Sequence, residues 1–129
     1  MSAKILLIED ERDQREALCE VLSFHGYEVQ CVANGSEALE LMRHSESLPG
    51  LILLDLMMPV MNGWEFRAEQ RKDRALAEVP VVIISALGDT AQKAIQDGAA
   101  AFLVKPLHWQ SLRLVVESFC GAARPLPGN

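Results

Sequence analysis

Glu9-Asp10, Asp55, Ser85 and Lys105-Pro106 each follow directly on a run of apolar residues, at 5–8, 51–54, 81–84 and 101–104. Acids, a hydroxyl and an amine are the groups that phosphoryl transfer uses. Three carboxylates held close together repel one another, so either one is protonated or a cation lies among them. Oxygen ligands with room for water suit Mg²⁺, which binds through one or two carboxylates and a substrate phosphate. An aspartate can carry a covalent phosphoryl group, which makes Asp55 the candidate nucleophile. Mg²⁺ and Lys105 would spread over the charge of the transferring oxygens, and Ser85 could donate a hydrogen bond to one of them.

Singly, each residue has a plainer reading. Asp55 could cap the loop after a strand, Glu9-Asp10 could be an acidic pair favoured by a helix dipole, and Lys105 could be a solvated lysine. Convergence is the signal, so the elements that carry these residues must bring them together.

The run Ile5-Leu6-Leu7-Ile8 does not alternate, as expected of a central parallel strand buried on both faces. Ala17, Leu18, Val21 and Leu22 recur at helical spacing, and Gly26 stops that helix. Residues 28–32 alternate and predict a less buried strand. Asn34-Gly35 reads as a turn, with Ser36 as N-cap of a helix bearing Ala38, Leu39, Leu41 and Met42. After Pro49-Gly50, residues 51–55 form the next strand, and a helix with a weak apolar face is expected near 64–71. The charged segment 72–78 reads as irregular. A strand at 80–85, a short helix marked by Ala91, Ala94 and Ile95, and a strand at 101–104 follow. Leu112, Val115, Val116, Phe119 and Cys120 predict an amphipathic last helix.

Five strands alternating with five helices imply parallel pairing through right-handed crossovers, hence a three-layer, doubly wound α/β sandwich. Ligands of such sheets bind at the carboxyl ends of the strands, where all the chemical candidates fall.

Composition narrows the function further. The chain has 129 residues, half of them hydrophobic and 23% charged, which suits one globular domain. No apolar run is long enough to cross a bilayer and no signal peptide is visible, so a cytoplasmic location is expected. Eighteen acidic residues against twelve basic ones give a formal charge of −6, which argues against direct nucleic-acid binding. Cys19, Cys31 and Cys120 lack metal or redox spacing and read as reduced thiols in or near the core. His25, His44 and His108 read as surface residues, and Trp109 and Leu114 as packing residues or, alternatively, partner contacts.

The segments Ile5-Leu6-Leu7-Ile8-Glu9-Asp10-Glu11, Leu53-Leu54-Asp55-Leu56-Met57-Met58-Pro59, Met61-Asn62-Gly63 and Val104-Lys105-Pro106 resemble the receiver family of two-component response regulators. The resemblance runs from about residue 4 to residue 122. It implies a flavodoxin-like strand order 2-1-3-4-5, a receiver domain over 1–123 and a flexible tail or linker at 124–129. It implies that Asp10, Asp55 and the Met57 carbonyl coordinate Mg²⁺, with Glu9 acting through water. Lys105 would pair with the phosphoryl group across a cis Lys105–Pro106 bond. Ser85 and Phe102 would form the switch pair, the alternative for Phe102 being a core ring. Glu9, Phe102 and Asn62 are mild departures from the commonest family residues.

The function implied is a phosphoacceptor, not a metabolic enzyme. Asp55 would take a phosphoryl group from a phosphohistidine on a histidine kinase or phosphotransfer protein. The face of the fourth helix, fifth strand and fifth helix would then change its affinity for a protein effector or an attached output domain. A phosphorylation-dependent dimer is compatible with this. Met57 and Leu87, two residues after Asp55 and Ser85, would hinder attacking water and slow self-dephosphorylation. The rival reading is a phosphorylation-independent docking domain. A phosphohydrolase would need a second acid where Met57 stands, and a flavin protein would need a phosphate-cradling loop where the chain has Glu9-Asp10-Glu11.

Overall fold

A computed structural model describes residues 4–58, 61–86 and 88–122. Pro59, Leu87 and the tail 124–129 lie outside the described residues. The chain runs β1 (Ile5–Ile8), α1 (Arg12–Phe24), β2 (Val29–Val32), α2 (Gly35–Arg43), β3 (Leu51–Asp55), α3 (Gly63–Lys72) and α4 (Arg74–Ala77). It continues through β4 (Val81–Ser85), a 3₁₀ turn at Gly88–Thr90, α5 (Ala91–Gln96), β5 (Ala101–Val104) and α6 (Trp109–Cys120). The five strands form one parallel sheet in the order β2-β1-β3-β4-β5, the doubly wound arrangement expected.

Every residue of β1, β3 and β4 is buried, which explains their unbroken apolar runs. Their side chains alternate between two layers. Leu6, Ile8, Ile52, Leu54, Val81 and Ile83 pack with Leu39 and Met42 of α2, Phe66 of α3 and Ala94 of α5. Ile5, Leu7, Leu51, Leu53, Val82 and Ile84 pack with Leu22 of α1 and Leu112 and Val116 of α6. Strand periodicity therefore builds both cores from alternate residues of the same three strands. No described helix is long and apolar enough to cross a membrane.

Local differences from the sequence reading have local causes. The cap of α2 is Asn34, whose side-chain oxygen accepts the Glu37 N–H at 2.8 Å; Ser36 is already inside the helix. The segment expected to be irregular contains α4, a single turn capped by Asp73 and anchored by the buried Leu76. The chain thus has six α-helices among its described residues, and the face expected of the fourth helix, fifth strand and fifth helix is α5–β5–α6. His25 is not a simple surface residue. It stacks on Trp109 with ring centroids 4.0 Å apart and joins α1 to α6. The cysteines are free, with Cys120 buried and the other two half-buried. Burial, with Cys19 beside it, pushes the Cys31 thiol up to about 12.

Candidate functional site

Strand register assembles the site. Ile8 pairs with Leu54 across β1 and β3, so the next residues, Glu9 and Asp55, emerge side by side. Asp55 in turn pairs with Ile84, which sets Ser85 just beyond it on β4. The Lys105 N–H donates to the Ser85 carbonyl at 2.9 Å, bringing the end of β5 to the same edge. Asp55 is 4% exposed, Glu9 2% and Ser85 0%.

Glu9, Asp10 and Asp55 each place a carboxylate oxygen within 4.8 Å of the other two. The Lys105 ammonium lies 3.0 Å from Glu9 Oε1 and 3.7 Å from Asp55 Oδ1. Burial and the neighbouring Glu9 carboxyl push the Asp55 carboxyl up to about 7, with Lys105 and the Met57 N–H opposing the shift. One ammonium therefore does not offset three carboxylates, and a further cation is favoured. The donor set is all oxygen and borders a cleft of about 220 Å³, which suits a hard divalent ion with bound water. Glu9 has both oxygens engaged, one by Lys105 and the other by the Glu11 N–H at 3.1 Å.

The supports are specific. The Glu11 carboxylate caps α1 by accepting the N–H groups of Asp13 and Gln14. The Leu56 N–H donates to Ile84 and the Gly63 N–H to Leu56, which fixes the chain on either side of Met57. Met57 is 62% exposed and lines the cleft, its N–H donating to Asp55 Oδ1 at 3.3 Å. The Lys105–Pro106 peptide bond is cis. Phe102 stands apart from the carboxylates. It is opposite Ile83 in the register and packs half-buried against the α2–α3–α5 layer.

Two residues at the site were not singled out from the sequence. Gln14 accepts a hydrogen bond from Lys105 Nζ at 2.8 Å, and the Arg15 guanidinium donates to the carbonyls of Glu9 at 3.0 Å and Asp10 at 3.3 Å. A signal for them existed. Helix α1 starts immediately after the acids, and side chains in its first turn lean back toward the strand ends.

Among known proteins, the family described as "Response regulator receiver domain" matches residues 5–117. The "Probable transcriptional regulator ycf27" of Porphyra purpurea is 34% identical over 128 residues, covering 98% of this chain and 51% of that protein. The "Response regulator Rre1" of Synechocystis is 34% identical over 117 residues, covering 88% of this chain and 50% of that protein. The chain thus spans about half the length of these relatives. The receiver domain of sensor histidine kinase PA1611 from Pseudomonas aeruginosa, whose structure holds a magnesium ion in the active-site cleft, superposes with a TM-score of 0.82. It is 26% identical, and the match covers 95% of this chain and all of that one. With the sheet order, the acidic cluster and these matches in agreement, the chain belongs to the receiver domain family of two-component response regulators.

Proposed function

We propose that the chain is a Mg²⁺-dependent phosphoacceptor switch in which Asp55 receives the phosphoryl group. The observation that carries this reading is the buried Asp55 carboxylate, grouped with Glu9 and Asp10 and facing the Lys105 ammonium at 3.7 Å. An Asp55 oxygen attacks the phosphorus of a phosphohistidine on a kinase or phosphotransfer protein. The P–N bond breaks, its electron pair stays on the imidazole, and an acyl phosphate forms on Asp55. Lys105 meets the phosphoryl oxygens as a compact charge, and Ser85 donates a hydrogen bond to one of them. Mg²⁺, held by Asp10, Asp55 and the Met57 carbonyl with Glu9 through water, would supply charge neutralisation on the phosphoryl oxygens.

The output is a change in affinity. Movement of Ser85 toward the phosphoryl group draws the half-buried Phe102 ring inward and alters the α5–β5–α6 face. A protein effector or an attached output domain reads that face. The apolar Met57 side chain at the cleft offers water no hydrogen bond, so the acyl phosphate is slow to hydrolyse.

Incubation with acetyl phosphate, with and without Mg²⁺, followed by intact-mass measurement beside an Asp55→Asn control, tests the reading. A magnesium-dependent gain of one phosphoryl group, absent from the control, is the expected result. A gain that persists in the control would place the acceptor elsewhere.

A further inference from the structure

Lys105 is pulled two ways. Its ammonium has only donors, so the Gln14 amide must turn its oxygen toward it, and that contact is 2.8 Å. Glu9 Oε1 follows at 3.0 Å and Asp55 Oδ1 at 3.7 Å. A hydrogen-bonded ammonium–carboxylate pair closes to about 2.7–2.9 Å, so the approach to Asp55 stops short of one. The main chain of Gln14 is fixed, because its backbone N–H donates to the capping carboxylate of Glu11 at 2.7 Å. Its side chain also lines the cleft that Asp55 and Lys105 border.

We infer that Gln14 is a positioning residue, whose amide oxygen holds the Lys105 ammonium at the mouth of the cleft, off Asp55, and leaves the Asp55 carboxylate open to a phosphoryl group. The lysine stem is flexible, and without the amide the ammonium keeps Glu9 at 3.0 Å and its next acceptor is Asp55 Oδ1 at 3.7 Å. A closed Lys105–Asp55 pair would occupy an oxygen lone pair of the nucleophile and draw the cation away from the incoming charge. The inference rests on the phosphoacceptor reading for its consequence, though not for the contact itself.

Gln14→Met keeps the length and bulk of the side chain and removes the acceptor; Gln14→Glu keeps an acceptor oxygen at similar reach. With Mg²⁺ and saturating acetyl phosphate, the rate of phosphoryl gain by Gln14→Met should fall about three- to tenfold, as for one lost hydrogen bond of ordinary net strength at an exposed position. In the unmodified protein, the Lys105 ammonium resonance in ¹⁵N-detected NMR should be displaced in Gln14→Met and stay protected from exchange in Gln14→Glu. A merely structural role for Gln14 would leave that resonance unmoved. Uptake by Gln14→Met within about twofold of the wild type, or an unchanged Lys105 resonance, would overturn the inference. Wild-type protein that takes no phosphoryl group would overturn the phosphoacceptor reading instead, and the Lys105 resonances would still decide the role of Gln14.

Discussion

The Arg67 guanidinium donates to the Asp97 main-chain oxygen at 2.9 Å, and its Nε approaches the Asp97 carboxylate at 3.4 Å, so α3 grips the turn that ends α5. Arg67 is 5% exposed. Burial lowers its pKa, and the charge of Asp97 opposes the shift. Its Nη1 also donates to Gln70 Oε1 at 2.7 Å, while the Gln70 amide nitrogen donates to the carbonyls of Leu76 and Val79. Arg67→Met would leave the buried Gln70 oxygen without this donor and should cost about 2–3 kcal/mol in urea unfolding. Arg71, 46% exposed and bound to the same Asp97, should cost under about 1 kcal/mol when changed to Met. Equal losses from the two variants would show that burial of the Arg67 network is not what stabilises this junction.

Gly63 opens α3 directly behind the acidic site, and space is what it supplies. A Cβ there would lie 2.6 Å from Leu56 Cδ2 and 2.9 Å from Leu56 Cα, and the second of these atoms is backbone. Gly63→Ala should destabilise by about 1–3 kcal/mol through overpacking, and should also slow phosphoryl gain because Leu56 adjoins Asp55. Gly88→Ala makes a control, since its Cβ would meet only Val104 Cγ2 at 3.8 Å. That variant should unfold within about 1 kcal/mol of the wild type. Thermal melting of both variants checks the contrast.

The Asp55 carboxyl is raised from 3.8 to about 7 in the folded metal-free chain. Between those values the folded state binds more protons than the unfolded state, so its stability falls as pH rises through the window from about 4 to about 7. Asp55→Asn cannot ionise and escapes the loss. In EDTA its melting temperature should therefore exceed that of the wild type at pH 8, and the advantage should shrink toward zero at pH 4. Each kcal/mol should appear as about 4 °C in a domain of this size. An advantage that is constant with pH would mean that Asp55 is ionised throughout the window.

What the sequence made legible was whatever depends on burial along a strand. The unbroken runs 5–8, 51–54 and 81–84 marked the central strands, and the strand ends gave Glu9, Asp10, Asp55, Ser85 and Lys105 together. Contacts that depend on how far a long polar side chain reaches were not legible. Gln14 and Arg15 were marked only by their place in the first turn after the acids, which names no partner until α1 is docked, and Arg67 and Gln70 look solvated until Asp97 and the Leu76 carbonyl close over them. Single-turn elements escaped for a related reason. Helix α4 has only Leu76 to declare a buried face, too little for a period to be read.

Three carboxylates with a single adjacent ammonium should make a divalent ion the main external stabiliser of the fold. On the phosphoacceptor reading, Mg²⁺ at about one hundred times its dissociation constant should add about 2.7 kcal/mol at pH 8, measured by urea unfolding with and without EDTA. Asp10→Asn removes a proposed ligand without touching Lys105, and should abolish most of this gain while leaving the EDTA-treated protein as stable as the wild type or more so. Lys105→Met is the opposite case. It removes the competing cation, so the metal-free chain should lose stability through unrelieved repulsion between Glu9 and Asp55, and the gain from Mg²⁺ should grow. If Mg²⁺ stabilises wild type and Asp10→Asn equally, the ion binds elsewhere, and the acidic cluster must be neutralised by protonation alone.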